Sequence, residues 1–403
     1  MPLPRVARRL LPATVAALGL ALLVVPVARA ATEQPAPAGR PVVPAVTLTD
    51  GPVAGVRVGP APCTVPAPTT PEGWQQAFDD LNDDRWSGGD QGSSLRLPDG
   101  RLLWVFADSF QGAQRADGSR AAGSRLVHNS LVVADGGCLT GVTGPDGGEV
   151  VPNAADGEFH WPQHAFLDGG RLYLSVFRVR GTAVPGSTDF TTTGTHLASF
   201  DLVPGGSPVF TGLTPTPSAG TSDDVVQWGT AVAQDDGATY VYGTRRVEDR
   251  TLFGKALYVA RVPAGAVTDL AAWRFWDGAG WATDAGAATP VKDARGGVST
   301  ALSIWRAADG TWHGVTKKDE YLGDQVVALR APSATGPWTE QVIGSSPSYA
   351  VPGELTYTAL AHPDVPLDGG GLLVSVSRNN ESWTTHLADG DLYKPQFSRA
   401  PAA

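Results

Sequence analysis

Short apolar runs of β type, rather than helical periodicity, organise this chain. Five times a run rich in valine, leucine and aromatic residues meets a tight polar turn. Each is followed by a second run that ends in polar residues. The turns are Asp99-Gly100, Asp168-Gly169, Asp236-Gly237, Asp309-Gly310 and Asp368-Gly369. Asp-Gly tolerates the positive φ angles that a two-residue hairpin demands. The runs after the turns read RLLWVFAD, RLYLSVFR, ATYVYGTR, TWHGVTKK and GLLVSVSR. Successive turns stand 69, 68, 73 and 59 residues apart, room for one four-stranded sheet each. With no amphipathic-helix pattern between them, this recurrence predicts an all-β fold, a five-bladed β-propeller in a single domain. A two-sheet sandwich would supply the strands but not their regular spacing.

The ends of the chain read differently. Residues 1–30 carry Arg5, Arg8 and Arg9, an apolar stretch, and then Ala28-Arg29-Ala30, the pattern of a cleaved signal peptide. Residues 31–71 are rich in Pro and Ala and suit a linker. Strand-like patches at 45–48 and 53–58 make the second part a possible closing strand. The propeller is then expected over 72–403. A signal peptide implies a secreted, extracellular protein with no membrane attachment after its removal. The leader holds four arginines and no acid, so losing it takes the net charge from −10 to −14. Such a chain is a poor partner for nucleic acid or anionic membranes. An oxidising destination also favours a disulfide between Cys63 and Cys138, the only two cysteines.

The hairpins locate candidate chemistry. In a propeller the inner strand of each blade runs along the central channel, so residues at its mouth line a common funnel. Asp90 and Asp108 stand nine residues before and after Asp99, which predicts neighbours at the far end of the first hairpin. The equivalent positions in the other blades are Trp161 with Arg178, Trp228 with Arg245, Thr300 with Lys318, and Thr358 with Arg378. Glycoside cleavage needs two carboxyl groups, one to protonate the leaving oxygen and one to serve as base or nucleophile. Two close carboxylates also drive their pKa values apart. Asp90 and Asp108 are therefore the catalytic candidates, with their individual roles left open. Asn129, Trp161, His164, Trp228, Arg245, Lys318 and Arg378 are expected to bind substrate around them. Glu320 and Glu354 are candidates for a third acid.

The first hairpin, WSGGDQGSSLRLPDGRLLWVFADSF, and HNSLVV at 128–133 resemble the opening of the domain-of-unknown-function 4185 family of secreted bacterial propellers. WPQHAF, WGTAV, YVYGTRR, LYVARVP, HPDVP and SVSRN extend the resemblance over most of 74–399. That family includes the D-arabinan-cleaving enzymes of glycoside hydrolase family 183. The resemblance implies an endo-acting D-arabinofuranosidase whose catalytic aspartates fall on the GGD and FAD motifs, matching Asp90 and Asp108. A polysaccharide is then the expected partner, acted on by a monomer without a cofactor.

Other chemistries find little footing. His160 and His164 are spaced for a metal on a helix, but Pro162 and the β pattern argue against that helix, and no third ligand clusters with them. The chain has no G-x-S-x-G serine elbow, phosphate loop, dinucleotide fingerprint or zinc-type cysteine cluster. A carbohydrate-binding propeller without turnover is the main alternative to a hydrolase, and a protein-interaction scaffold is a third reading.

Overall fold

Five antiparallel sheets, taken in chain order, make the blades of a five-bladed propeller. The computed structural model describes residues 63–401 apart from 122, 182–189 and 250. The expected signal peptide and the strand-like patches at 45–48 and 53–58 lie outside the described residues. The inner strands are Gly88–Arg96, Phe159–Asp168, Gln227–Asp235, Leu302–Arg306 and Glu354–Ala361. Each touches the inner strand of the next blade, and the fifth touches the first. A sheet twisted by its own strands cannot close alone, so the ring closes by packing sheet against sheet.

One apolar cluster fills each of the five seams. Leu103, Val105, Leu174 and Val176 join blades 1 and 2, and Trp228, Phe166 and Tyr258 join blades 2 and 3. Tyr242, Leu257, Trp312 and Leu329 join blades 3 and 4, and Val315, Val326, Ala359 and Val374 join blades 4 and 5. The last seam is filled by a helix, α1 (Pro71–Asp80), which inserts Trp74 and Phe78 against Trp104, Val365 and Leu373. Thr70 caps it and Pro71 opens it, signals the sequence carries at the edge of the stretch read as linker. Gln75 accepts from the Phe397 N–H in the outermost strand of blade 5, and Lys394 donates to Asp79 O. A second helix, α2 (Trp383–Ala388), and a 3₁₀ turn, Gly390–Tyr393, interrupt blade 5 before its third strand. Both helices depart from the strand-only expectation. The Cys63–Cys138 disulfide is formed and ties the segment ahead of α1 to the outer strand of blade 1.

Two local features set where the funnel residues point. The second hairpin turns on Gly169-Gly170 rather than on Asp168-Gly169, since Asp168 pairs with Arg171. Four of the five inner strands also carry a bulge near the channel mouth, between Gly89 and Ser93, Pro162 and His164, Trp228 and Ala231, and Tyr357 and Leu360. A bulge puts two residues opposite one and re-aims the side chains around it. The freed groups are spent on the neighbouring blade. Gln91 N donates to Ser377 Oγ, while Gln91 Nε2 donates to Gln163 O and Ser175 Oγ to Gly229 O.

Candidate active site

The bulge at Gly89–Gln91 lays Asp90 across from the Ala107-Asp108 step, with Gly89 facing Ser109 and Gln91 facing Phe106. The two acids of the first hairpin are thus neighbours at the mouth of the channel, and each has its own partners. Asp108 is buried, and its Oδ1 accepts from Trp161 Nε1 at 2.7 Å and from His128 Nδ1 at 3.0 Å. Asp90 Oδ2 accepts from the Tyr357 hydroxyl at 2.7 Å. Its Oδ1 is enclosed and makes no hydrogen bond among the described residues. Burial, and after it the negative charge of Asp108, pushes the Asp90 carboxyl up to about 7. The hydroxyls of Tyr357 and Tyr393 and the Asp108 backbone N–H pull in the other direction. Among the described residues no cation pairs with Asp90, and a carboxyl raised to about 7 holds a proton for part of the time near neutrality.

Of the expected substrate-binding residues, Trp161 reaches the acids. It pairs with Phe177, one position from the expected Arg178. His164 stands on the same inner strand, and burial lowers it to about 4, so it is neutral at physiological pH. The contacts that the others make lie away from the aspartate pair. Asn129 stitches blade 1 to blade 2, donating to Val151 O and His160 O and accepting from Val151 N. Trp228 is buried in the seam between blades 2 and 3 and faces Gly243, not Arg245. Arg245 lies over the Tyr258 ring at 5.6 Å. Lys318 turns to Glu340 in an outer strand at 2.5 Å. The inward-facing cation of that pair is Lys317, which is fully buried and donates to the Thr356 carbonyl between blades 4 and 5.

The candidate third acids are held in ion pairs. Glu354 stands 3.6 Å from Arg378, and Glu320 stands 3.0 Å from Lys255 while accepting from Thr300 N at 2.7 Å. Arg378 and Lys318 are therefore engaged with glutamates rather than with the aspartate pair. His160 faces the Pro152 carbonyl through Nδ1. Among the described residues, no three His, Cys, Asp or Glu side chains cluster as metal ligands do.

Comparison with known proteins places the sequence. Residues 75–401 match the family described as Domain of unknown function (DUF5005). The chain belongs to the DUF5005 family. This is not the family that the first-hairpin motifs resemble. No curated protein matches the sequence. Among solved structures, a protein from Bacteroides ovatus ATCC 8483 proposed to be a hydrolase is similar with a TM-score of 0.61 at 17% identity, over 82% of this chain and 89% of that one. A GH43_1 enzyme from Xanthomonas citri complexed with xylotriose aligns at a TM-score of 0.44 and 15% identity, covering 81% and 92%. An α-L-arabinofuranosidase from Lactobacillus brevis aligns at 0.44 and 9%, covering 80% and 93%.

In this DUF5005 protein the sequence concealed most of what surrounds Asp90. Tyr357 lies in the blade 5 bulge, and Asn379 Nδ2 donates to its hydroxyl at 2.9 Å. Asn379 Oδ1 in turn meets His386 Nε2 of α2 at 2.7 Å. Tyr393, from the 3₁₀ turn, is buried beside the same carboxyl. Arg120 holds that turn in place, donating to Gly390 O and Ser87 Oγ and lying 4.1 Å over the Phe110 ring. A Cβ at Gly88 would stand 2.5 Å from Arg120 Nη2 and 3.0 Å from the Tyr393 carbonyl oxygen, so a side chain there would press on both. Only the SVSRN run at 375–379 marked the neighbourhood of Asn379 in the sequence. Nothing flagged Tyr357, Tyr393 or His386. His128 falls within the HNSLVV motif, next to the expected Asn129.

Proposed function

We propose that this protein is a secreted glycoside hydrolase that cleaves internal bonds of a polysaccharide with Asp90 and Asp108. The observation that carries the reading is the pair itself. Two carboxyls from one hairpin meet at the channel mouth, and burial with mutual repulsion lifts one of them to about 7. A glycosidase asks for that asymmetry between two acids. Asp90, which can hold a proton at neutral pH, is suited to protonate the glycosidic oxygen. Asp108, accepting from two N–H donors, is the second carboxylate, acting as base toward water or as nucleophile. The proton passes from Asp90 to the leaving oxygen, and the C–O electron pair leaves with that oxygen. Water finally supplies hydroxyl to the anomeric carbon and a proton back to the site. The likeness to the Bacteroides ovatus protein supports a hydrolytic propeller.

D-arabinan is the substrate we favour, on the GGD and FAD motifs of the first hairpin. Trp161, fixed beside Asp108, is the substrate contact we retain from the expected set. The test is incubation with a panel of wall polysaccharides, scored by new reducing ends. Asp90→Asn and Asp108→Asn, each folded as wild type, should lower release by about 10²–10⁴-fold, the usual range for a lost acid or base. Full activity in both variants would refute the assignment. Saccharide binding without any release by the wild type would favour a binding propeller instead.

A further inference from the structure

Four rings run in a line that touches Asp108 through both His128 and Trp161 and ends at Phe190. His128, bonded to Asp108, is stacked on Phe159 with centroids 3.8 Å apart and 19° between planes. Phe159 meets Trp161 edge-on at 5.3 Å, and Trp161 meets Phe190 edge-on at 4.6 Å. The line starts in blade 1, crosses the inner strand of blade 2 and ends on that blade's third strand, Phe190–Asp201. Phe190 pairs with Gly181 and is 49% exposed.

We infer that this row is a saccharide subsite, seating sugar rings beyond the pair flanking the bond that is cut. The inference rests on the glycosidase reading and extends it, because a site reaching from the channel to the third strand suits a polymer rather than a short substrate. The occupant follows from the chemistry of the row. It is one ring wide, it joins the acid pair without a gap, and polar groups stand close by in the same blade. Among these, Glu158 is buried with Arg178 and Arg180 around it, and Thr193 donates to it. A sugar ring offers an apolar C–H face to an aromatic edge or face and hydroxyls to such polar neighbours. An apolar peptide or lipid would lay hydrocarbon over the part-exposed guanidinium groups of Arg178 and Arg180 and offer them no acceptor.

The experiment measures binding apart from turnover. Asp90→Asn, which holds ligand without cutting it, is titrated calorimetrically with D-arabinan oligosaccharides of graded length, and with xylan oligosaccharides as a second series. Adding Phe190→Ala should weaken binding of the longest oligosaccharides about tenfold, equivalent to about 1.4 kcal/mol, and leave the shortest unchanged. Phe190→Trp should restore the affinity, which separates a lost platform from a misfolded rim. Equal affinities at every length for Phe190→Ala would overturn the subsite while leaving the hydrolase reading intact. A folded Asp90→Asn protein that binds neither series would overturn both.

Discussion

Blades 1 and 5 each carry an acid near the start of the inner strand and treat it in opposite ways. Glu354, at the start of the fifth inner strand, faces Arg378 from the strand beside it. Asp90, near the start of the first, faces another carboxylate, and its only hydrogen-bonding side chains are tyrosines. Blade 4 follows blade 5, with Glu320 set against Lys255. An acid facing a cation has its charge satisfied by that partner. An enclosed acid whose nearest charge is another acid stores the energy of its burial as an affinity for protons. An acid near the start of an inner strand yields a structural ion pair in one blade and a proton carrier in another, decided by the residue across the hairpin.

The comparison can be broken where it predicts most. The two aspartate substitutions should remove nearly all turnover, whereas Glu354→Gln and Glu320→Gln should change kcat/KM by less than about threefold and cost about 0–1 kcal/mol of stability, as partly exposed ion pairs do. A glutamate variant as damaged as Asp90→Asn would mean that the third acid had been misplaced.

Tyr357→Phe sharpens the contrast. The hydroxyl stabilises charged Asp90, so its loss should raise that carboxyl further and move the alkaline limb of the pH–rate profile up by as much as about one unit. A general loss of activity with an unmoved limb would assign Tyr357 a packing role.

A smaller effect should appear in stability. A carboxyl raised from 3.8 to about 7 in the folded state contributes stability that is complete below pH 3.8 and disappears as pH rises through 7. Asp90→Asn should therefore melt above wild type at pH 8, on the order of 2 °C or more, with the difference closing toward pH 4. Thermal melts across that range would show it. A variant less stable than wild type at pH 8 would contradict the sign.

The sequence made the blades legible because Asp-Gly turns and apolar runs are local signals. It also made the acid pair legible, since counting outward from one turn needs no tertiary information. Counting failed in blades 3 and 4. In blade 4, whose inner hairpin has no bulge, Lys317 rather than Lys318 is the buried lysine, and in blade 3 Trp228 lies past a bulge and turns into a seam. Single-residue insertions of this kind carry no strong sequence mark apart from a glycine such as Gly229, with φ 106°. The surroundings of Asp90 were illegible for a different reason. Tyr357, Asn379, His386 and Tyr393 lie some 270–300 positions away, and only ring closure brings blade 5 back against blade 1. Helix α1, which fills that seam, had its Thr-Pro-Glu start in view, but only ten residues in which to show a periodicity.

The direct test of the coupled pair is carbon NMR of aspartate side-chain carboxyls, titrated in the wild type and in Asp108→Asn. Asp90 should titrate near 7 in the wild type and at a clearly lower pH once the neighbouring charge is gone. An Asp90 that titrates near 4 in both proteins would contradict the account.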